Sequence, residues 1–273
     1  LLLVNGPVRP VSPRAQYQLD QFLMSGRPVA AFIRGIRPDY RTGRVQIVRH
    51  DLYGLMGHHG VQLNRDLVLD RDHNEAFAVP VRRGGRTRRV AVPYPPIPTT
   101  RELDDGHPVT TGVDRAILPF VTSLDLADPL PSGVEGEVLV ATEESSARVE
   151  GILYVRPEAF ENPVPEEEDG SWPVVVTLRG RFSSYFVDQP IPPPPGVDPA
   201  TWSPDPTSKI LDASPTRLLV AASADMLANN PTLVLNAVDW LLDDTALLGI
   251  RTRTTRDPRF EPPEPGTAWA LQA

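Results

Sequence analysis

Leu1-Leu2-Leu3-Val4-Asn5-Gly6-Pro7 opens the chain, Ser12-Pro13 follows, and Pro28-Val29-Ala30-Ala31-Phe32-Ile33 makes a second apolar run. The first run is short, apolar and closed by an Asn-Gly-Pro turn, the signature of a buried strand. Ser12 as N-cap and Pro13 at the first helical position start a helix. Ala15, Leu19, Phe22 and Leu23 give that helix one apolar face, and Gly26 stops it. Strand, helix and strand joined by short links form a βαβ unit, whose two strands run parallel.

The same grammar returns near the other end. Residues 217–222 read as a strand, and Asn230-Pro231 opens the best helix of the sequence, residues 232–242. Leu233, Ala237, Trp240 and Leu241 form its apolar stripe, widened by Val234 and Val238, with Asn236, Asp239 and Asp243 on the opposite side. Trp240 is expected to be largely buried, and residues 247–250 read as a closing strand. Between the two ends the chain is strand-rich. Residues 45–48, 67–69, 138–141 and 174–178 read as strands, and residues 51–59 as a weak helix stopped by Gly60. Residues 79–81 and 90–92 around Gly84-Gly85 read as a β-hairpin. Residues 161–170 are acidic and read as a solvated loop.

The expected fold is therefore α/β, with a mainly parallel sheet built from both chain ends and a β-rich middle insertion. One α/β domain is expected over residues 1–255, with a proline-rich surface connection over 189–208 and a loose tail over 256–273. A chain that opens directly on a strand is expected to be a piece of a longer, membrane-anchored protein.

Composition narrows the function classes. The formal net charge is −8, and a surface of that sign is a poor match for nucleic-acid phosphates. There is no cysteine, so thiolate chemistry, thiolate metal sites and disulfides are excluded. Neither a G-x-S-x-G elbow nor a P-loop nor a G-x-G-x-x-G occurs, so the phosphate cradles of nucleotide enzymes are missing. The only histidine cluster is His58-His59. Adjacent helical residues point about 100° apart and rarely share one ion, so a pair of histidines at a helix end is expected and no metal or cofactor.

Two places remain for binding. Open parallel sheets take ligands beyond the carboxyl ends of their strands. Asp225, Asn229 and Asn230 follow the strand at 217–222, and Asn5, Gly35 and Ser223 share that rim. Arg82, Arg83, Arg86, Arg88 and Arg89 straddle the Gly84-Gly85 turn, a basic surface for an acidic partner or anionic lipid.

The last third resembles a known family. Thr216-Arg217-Leu218-Leu219-Val220 through Ala224-Asp225-Met226-Leu227-Ala228-Asn229 is similar to the "tRllVvgdsDFlsN" stretch of gliding-motility (GldG-type) auxiliary proteins of ABC transporters. Leu235-Asn236-Ala237-Val238-Asp239-Trp240-Leu241, with Asp243-Asp244 and Leu248-Gly249-Ile250-Arg251, resembles that family's "lNavdWLagde.li.IR". Leu3-Val4-Asn5-Gly6-Pro7, residues 19–28, residues 60–70 and His107-Pro108-Val109-Thr110 match further family stretches in order. The chain departs at Ala221-Ala222-Ser223, where the family has Gly-Asp, and at Met226, where it has Phe.

The resemblance implies a class I glutamine amidotransferase-like (flavodoxin-like) fold without that group's cysteine nucleophile. It implies no catalytic residues. It also implies that an amino-terminal half of the family's soluble region precedes this stretch. The function it implies is a non-catalytic interaction or sensing domain facing the periplasm at the inner membrane. The partners it implies are the permease and ATPase subunits of the transporter. The alternative is a module that binds a small ligand or glycan at the sheet rim; a concave pocket near Asp225 would favour it.

Overall fold

The computed structural model describes residues 1–83, 85–151, 154–160 and 169–243. The expected closing strand at 247–250, the tail, Gly84 and residues 161–168 of the acidic loop lie outside them.

The first unit forms as the sequence dictates. Strand β1 (Leu2–Asn5), helix α1 (Pro13–Met24) and strand β2 (Val29–Phe32) follow one another. The Ser12 hydroxyl accepts the Ala15 amide at the helix start. β1 and β2 pair parallel, Leu2 opposite Val29. Next come a small antiparallel ladder, β3 (Ile36–Asp39) with β4 (Arg44–Ile47), then helix α2 (Tyr53–His58) and strands β5 (Val61–Leu63) and β6 (Leu67–Asp70). A long hairpin, β7 (Asn74–Arg83) with β8 (Arg86–Thr100), runs on into β9 (Ala116–Ile117). Strand β10 (Leu124–Leu126) pairs with β5, and β12 (Ser146–Val149) with β6, while β11 (Val134–Ala141) enters the main sheet. Strands β13 (Pro173–Gly180) and β14 (Thr216–Ala221) and helices α3 (Met226–Asn229) and α4 (Pro231–Leu241) complete the described chain.

The main sheet has the order β1-β2-β14-β13-β11. β1, β2 and β14 are parallel, so the strands read at both chain ends do meet in one sheet. β13 and β11 then join antiparallel. The expectation of a mainly parallel, flavodoxin-like α/β fold is thereby overturned: the chain is β-rich, 36% strand against 17% helix, with a mixed main sheet and antiparallel small ones. The connection between β13 and β14 supplies a physical reason. A parallel crossover is normally carried by a helix lying over the sheet. Residues 189–208, with Pro190, Pro192, Pro193, Pro194 and Pro195 close together, cannot form one, and β14 returns beside β13 in the opposite sense.

The core lies on the middle strands. Val29 to Ile33, Val174 to Val176, Leu178 and Leu218 to Ala222 are all buried, as a strand covered on both faces requires. Leu19, Leu23 and Met24 of α1 and Leu233, Ala237 and Leu241 of α4 belong to the same cluster. Helix α4 departs from its expected polar face. Asn236 and Asp239 are buried, whereas Leu235 is 48% exposed. Asn236 is held inside because its Nδ2 donates to the carbonyls of Val109 (3.2 Å) and Thr111 (2.9 Å). Trp240 sits at the margin of the core, half-buried against His107 and under the Arg217 guanidinium.

Candidate functional site

The carboxyl ends of β2 and β14 deliver two charged groups to one place. β2 runs out through Ile33, whose amide bonds the Ala221 carbonyl (2.9 Å), and Arg34 follows. β14 runs out through Ala222 into Ser223, whose hydroxyl donates to the Pro119 carbonyl (2.7 Å) and accepts the Asp225 amide (3.2 Å). The turn so fixed places Asp225 Oδ1 3.0 Å from Arg34 Nη2. Gly6, just beyond β1, lies beside this pair with φ +49°. A Cβ there would stand 2.6 Å from the Ala224 Cβ and 3.5 Å from the Arg34 guanidinium. Only glycine fits both the dihedral and the space.

The pair forms part of a cleft of about 640 Å³. Arg37, Pro38 and Tyr40 come from the β3–β4 hairpin, Ile97 and Ile117 from β8 and β9, and Ala228 and Asn229 from α3. Pro119 and Phe120 close it. Phe120 holds φ +47°, a left-handed conformation unusual for an aromatic residue, and its ring lies nearly perpendicular to those of both Tyr40 and Tyr94. Tyr40 itself is 75% exposed, an aromatic face open to the cleft mouth.

Charge in the cleft is unevenly compensated. Asp225 is engaged by Arg34, and Glu75 by Arg115 (2.7 Å). Arg37 bonds the neutral Gln46 Oε1 through Nε (3.3 Å) and Nη2 (3.1 Å), and among the described residues it makes no ion pair. The Arg34 Nε is buried without a hydrogen-bond partner among the described residues. The cleft thus offers a cationic edge beside aromatic and aliphatic walls, an arrangement for an anionic group carried on a flat or apolar body. A larger hollow of about 740 Å³ lies at the opposite end of β14, but its charges are matched internally, Arg179 with Glu135 and Arg217 with Asp243.

The rim residues expected from sequence divide into three groups. Asp225 and Asn229 line the cleft, Asn229 donating to the Asp225 carbonyl (2.7 Å). Ser223 and Asn230 are buried behind it. Asn230 clamps Ile117, accepting its amide (2.8 Å) and donating to its carbonyl (2.7 Å). Gly35 is also buried, with room for no Cβ against the Asn64 carbonyl. Asn5 is exposed at the end of β1 and does not line the cleft. Arg82, Arg86, Arg88 and Arg89 are exposed on the β7–β8 hairpin, away from the cleft; the side chain of Arg83 lies outside the described residues. Sequence reading passed over Arg34, Arg37, Tyr40 and Phe120. The signal was available for Arg34, which directly precedes the rim glycine Gly35.

The histidines lie elsewhere. His59, at the end of α2, is buried against Phe182, and burial pushes it down to about 3, with His58 adding to the effect. It is therefore neutral, unlike the charged helix-end residue that a dipole argument favours. His50 is likewise pushed down to about 4, first by burial; Asp51 opposes this and Arg65 adds to it.

Residues 1–240 match the family described as "ABC-type uncharacterized transport system" (ABC_transp_aux). The chain belongs to that family. It is accordingly an auxiliary component associated with an ABC-type transport system. No curated protein matches the chain. Among solved structures, the mmIFT52 N-terminal domain resembles it with a TM-score of 0.45 and 12% identity, over 88% of this chain and 75% of that one. No described helix of this family member is long and apolar enough to cross a membrane.

Proposed function

We propose that this chain is a non-catalytic, extracytoplasmic sensing domain of a gliding-motility-type (GldG-type) auxiliary protein. It binds a small organic anion at the sheet rim and works beside the permease and ATPase of its ABC transporter at the inner membrane. The observation that carries the reading is the rim cleft. It is concave, walled by Tyr40, Phe120, Ile97 and Ile117, and edged by Arg34 and by the uncompensated Arg37. A carboxylate on a ring-shaped body, such as an acidic sugar, meets both the cationic edge and the aromatic face. The non-catalytic part rests on the observation that, among the described residues, the two carboxylates lining the cleft are held in ion pairs and no histidine lines it. Among the described residues the cleft offers no unpaired carboxylate or imidazole to act as a general base.

The test is a thermal-shift screen of the chain against carboxylated sugars, dicarboxylates and their neutral analogues. A fitting ligand at a hundredfold excess over its Kd stabilises by about 2.7 kcal/mol, a shift of several degrees. The shift should vanish in Arg37→Ala and shrink in Tyr40→Ala. If neutral analogues stabilise equally well, the anionic edge is irrelevant. ATP or glutamine turnover that is lost in Asp225→Ala would replace the reading with an enzymatic one.

A further inference from the structure

The outer part of the β7–β8 hairpin, residues 76–93, stands apart from the cleft, which takes only Glu75 and Ile97 from the hairpin's base. Its strands pair from Ala76–Pro93 to Arg83–Arg86, eight residues a side. At about 3.4 Å per residue the ribbon is about 25 Å long. Ala76, Phe77, Ala78, Pro80 and Arg82 on one strand and Arg86 to Ala91 on the other are exposed, so both faces of the ribbon are open. A two-stranded ribbon with no covering layer is marginal in water and gains from a surface to lie against.

Its chemistry specifies that surface. Residues 82–89 contain Arg82, Arg83, Arg86, Arg88 and Arg89, and residues 76–93 contain no acidic residue, in a chain whose net charge is −8. None of the four arginines whose side chains are described makes an ion pair among the described residues. Toward the base, Phe77 opposite Val92 and Val79 opposite Val90 share one face, with Phe77 45% and Val90 44% exposed. Arg88 and Arg86 continue that face, whereas Arg89 and Arg82 alternate onto the other. Pro80, on the outer strand β7, lacks an amide donor, which disfavours extension of the ribbon by an added strand.

We propose that this ribbon is a membrane-surface contact. Its arginines bind the phosphates of anionic lipid headgroups, and the Phe77–Val79–Val90–Val92 face rests at the acyl boundary. Arginines on both faces of one ribbon do not address a single rigid protein surface. A fluid headgroup layer closes around all of them, and the apolar strip beside them suits its inner boundary.

The experiment is sedimentation of the chain with vesicles of phosphatidylcholine alone and of phosphatidylcholine with a fraction of phosphatidylglycerol, at low and high salt. Soluble glycerol phosphate and polyglutamate serve as competitors. The chain should sediment with the anionic vesicles only, and less at high salt. Each arginine near an anionic surface is worth about fivefold in partitioning, so R88Q/R89Q should weaken it about twenty-fivefold. F77S/V90S, which keeps the charge, should weaken it as well. All four positions are exposed, and an unchanged melting curve shows that the variants are folded. Equal sedimentation with neutral vesicles, none with either, or indifference to R88Q/R89Q overturns the proposal. So does complete displacement by glycerol phosphate, which marks a free-phosphate site, or tighter binding to polyglutamate than to vesicles, which assigns the ribbon to an acidic protein.

Discussion

The guanidinium of Arg34 lies 3.0 Å from the carboxylate of Asp225, 191 residues away, and the two join the ends of adjacent parallel strands. Their side chains are unequally covered, 17% exposed for Arg34 and 40% for Asp225. Removing the acid therefore strands the better-buried charge. Asp225→Ala should cost about 2–3 kcal/mol, more than Arg34→Met, because water reaches the carboxylate that Arg34→Met leaves behind. The double variant should cost less than the sum by about 1 kcal/mol, read from a cycle of urea unfolding curves. Strict additivity would mean that the pair is not coupled.

Gly6→Ala should be among the more damaging single-methyl changes in the chain. It meets both the Ala224 Cβ at 2.6 Å and a backbone φ of +49°. A loss of about 1–3 kcal/mol is expected, together with weaker cleft binding, since the guanidinium of Arg34 lies against the same atom. Gly85→Ala is the control: its φ is +75° but nothing lies within 4 Å of the added carbon. It should cost less and leave the cleft untouched.

Helix α4 separates a polar from an aromatic contribution. Asn236→Leu removes the donor to two loop carbonyls inside the protein and should cost about 1–3 kcal/mol. Trp240→Ala should cost about 2 kcal/mol, below the roughly 3–5 typical of a fully buried tryptophan, because the ring lies at the core margin and is only partly buried. Chemical denaturation of the two variants beside Leu233→Ala, which empties a buried site, would check the order. A Trp240→Ala loss exceeding that of Leu233→Ala would show the ring to be a core residue after all.

These contrasts mark what the sequence carried. The βαβ start was legible because each signal was local: an apolar run, a Ser-Pro cap, a glycine stop. Leu218 to Ala222 was legible for the same reason. The partner of a strand is not a local property. The apolar run at Val174 to Leu178 looks the same whether its neighbour runs with it or against it, and so the antiparallel half of the sheet escaped notice. Periodicity likewise placed Asn236 on the wet side of α4, because the loop carbonyls that satisfy it come from residues 109 and 111. At the rim, Asp225 stood out as an acid at a strand end, whereas Arg34 was one of many arginines, marked only by its place before Gly35. Phe120 could not be found at all, since its place depends on a backbone dihedral.

Acid should unfold the protein through its buried histidines. The unfolded chain protonates them near the ordinary 6.5, whereas the folded chain holds His50 neutral to about 4 and His59 to about 3. His50 Nδ1 accepts the Leu52 amide at 3.0 Å, which its protonated form could not do. Their contribution is thus complete above about pH 6.5 and is lost as the pH falls, toward about 4 for His50 and about 3 for His59, with a slope of up to about 1.4 kcal/mol per pH unit for each histidine. His59→Phe should flatten the stability profile between pH 6.5 and 4.5. An unaltered slope in that variant would mean that His59 is protonated in the folded state.

Because β14 is inserted between β2 and β13, the sheet cannot close by a local event. Residues 29–32 must wait for residues 218–221, a chain separation that makes the pairing entropically costly and slow. On the ribosome, β1, α1 and β2 emerge before β14 and present one unpaired edge of β2, fully apolar in sequence, for the time needed to synthesise residues 33–215. A growing chain of this family is therefore most vulnerable to aggregation in the interval before β14 appears. Shortening the protein ahead of residue 216 should leave that edge open permanently, giving a product that depends on chaperones or is degraded.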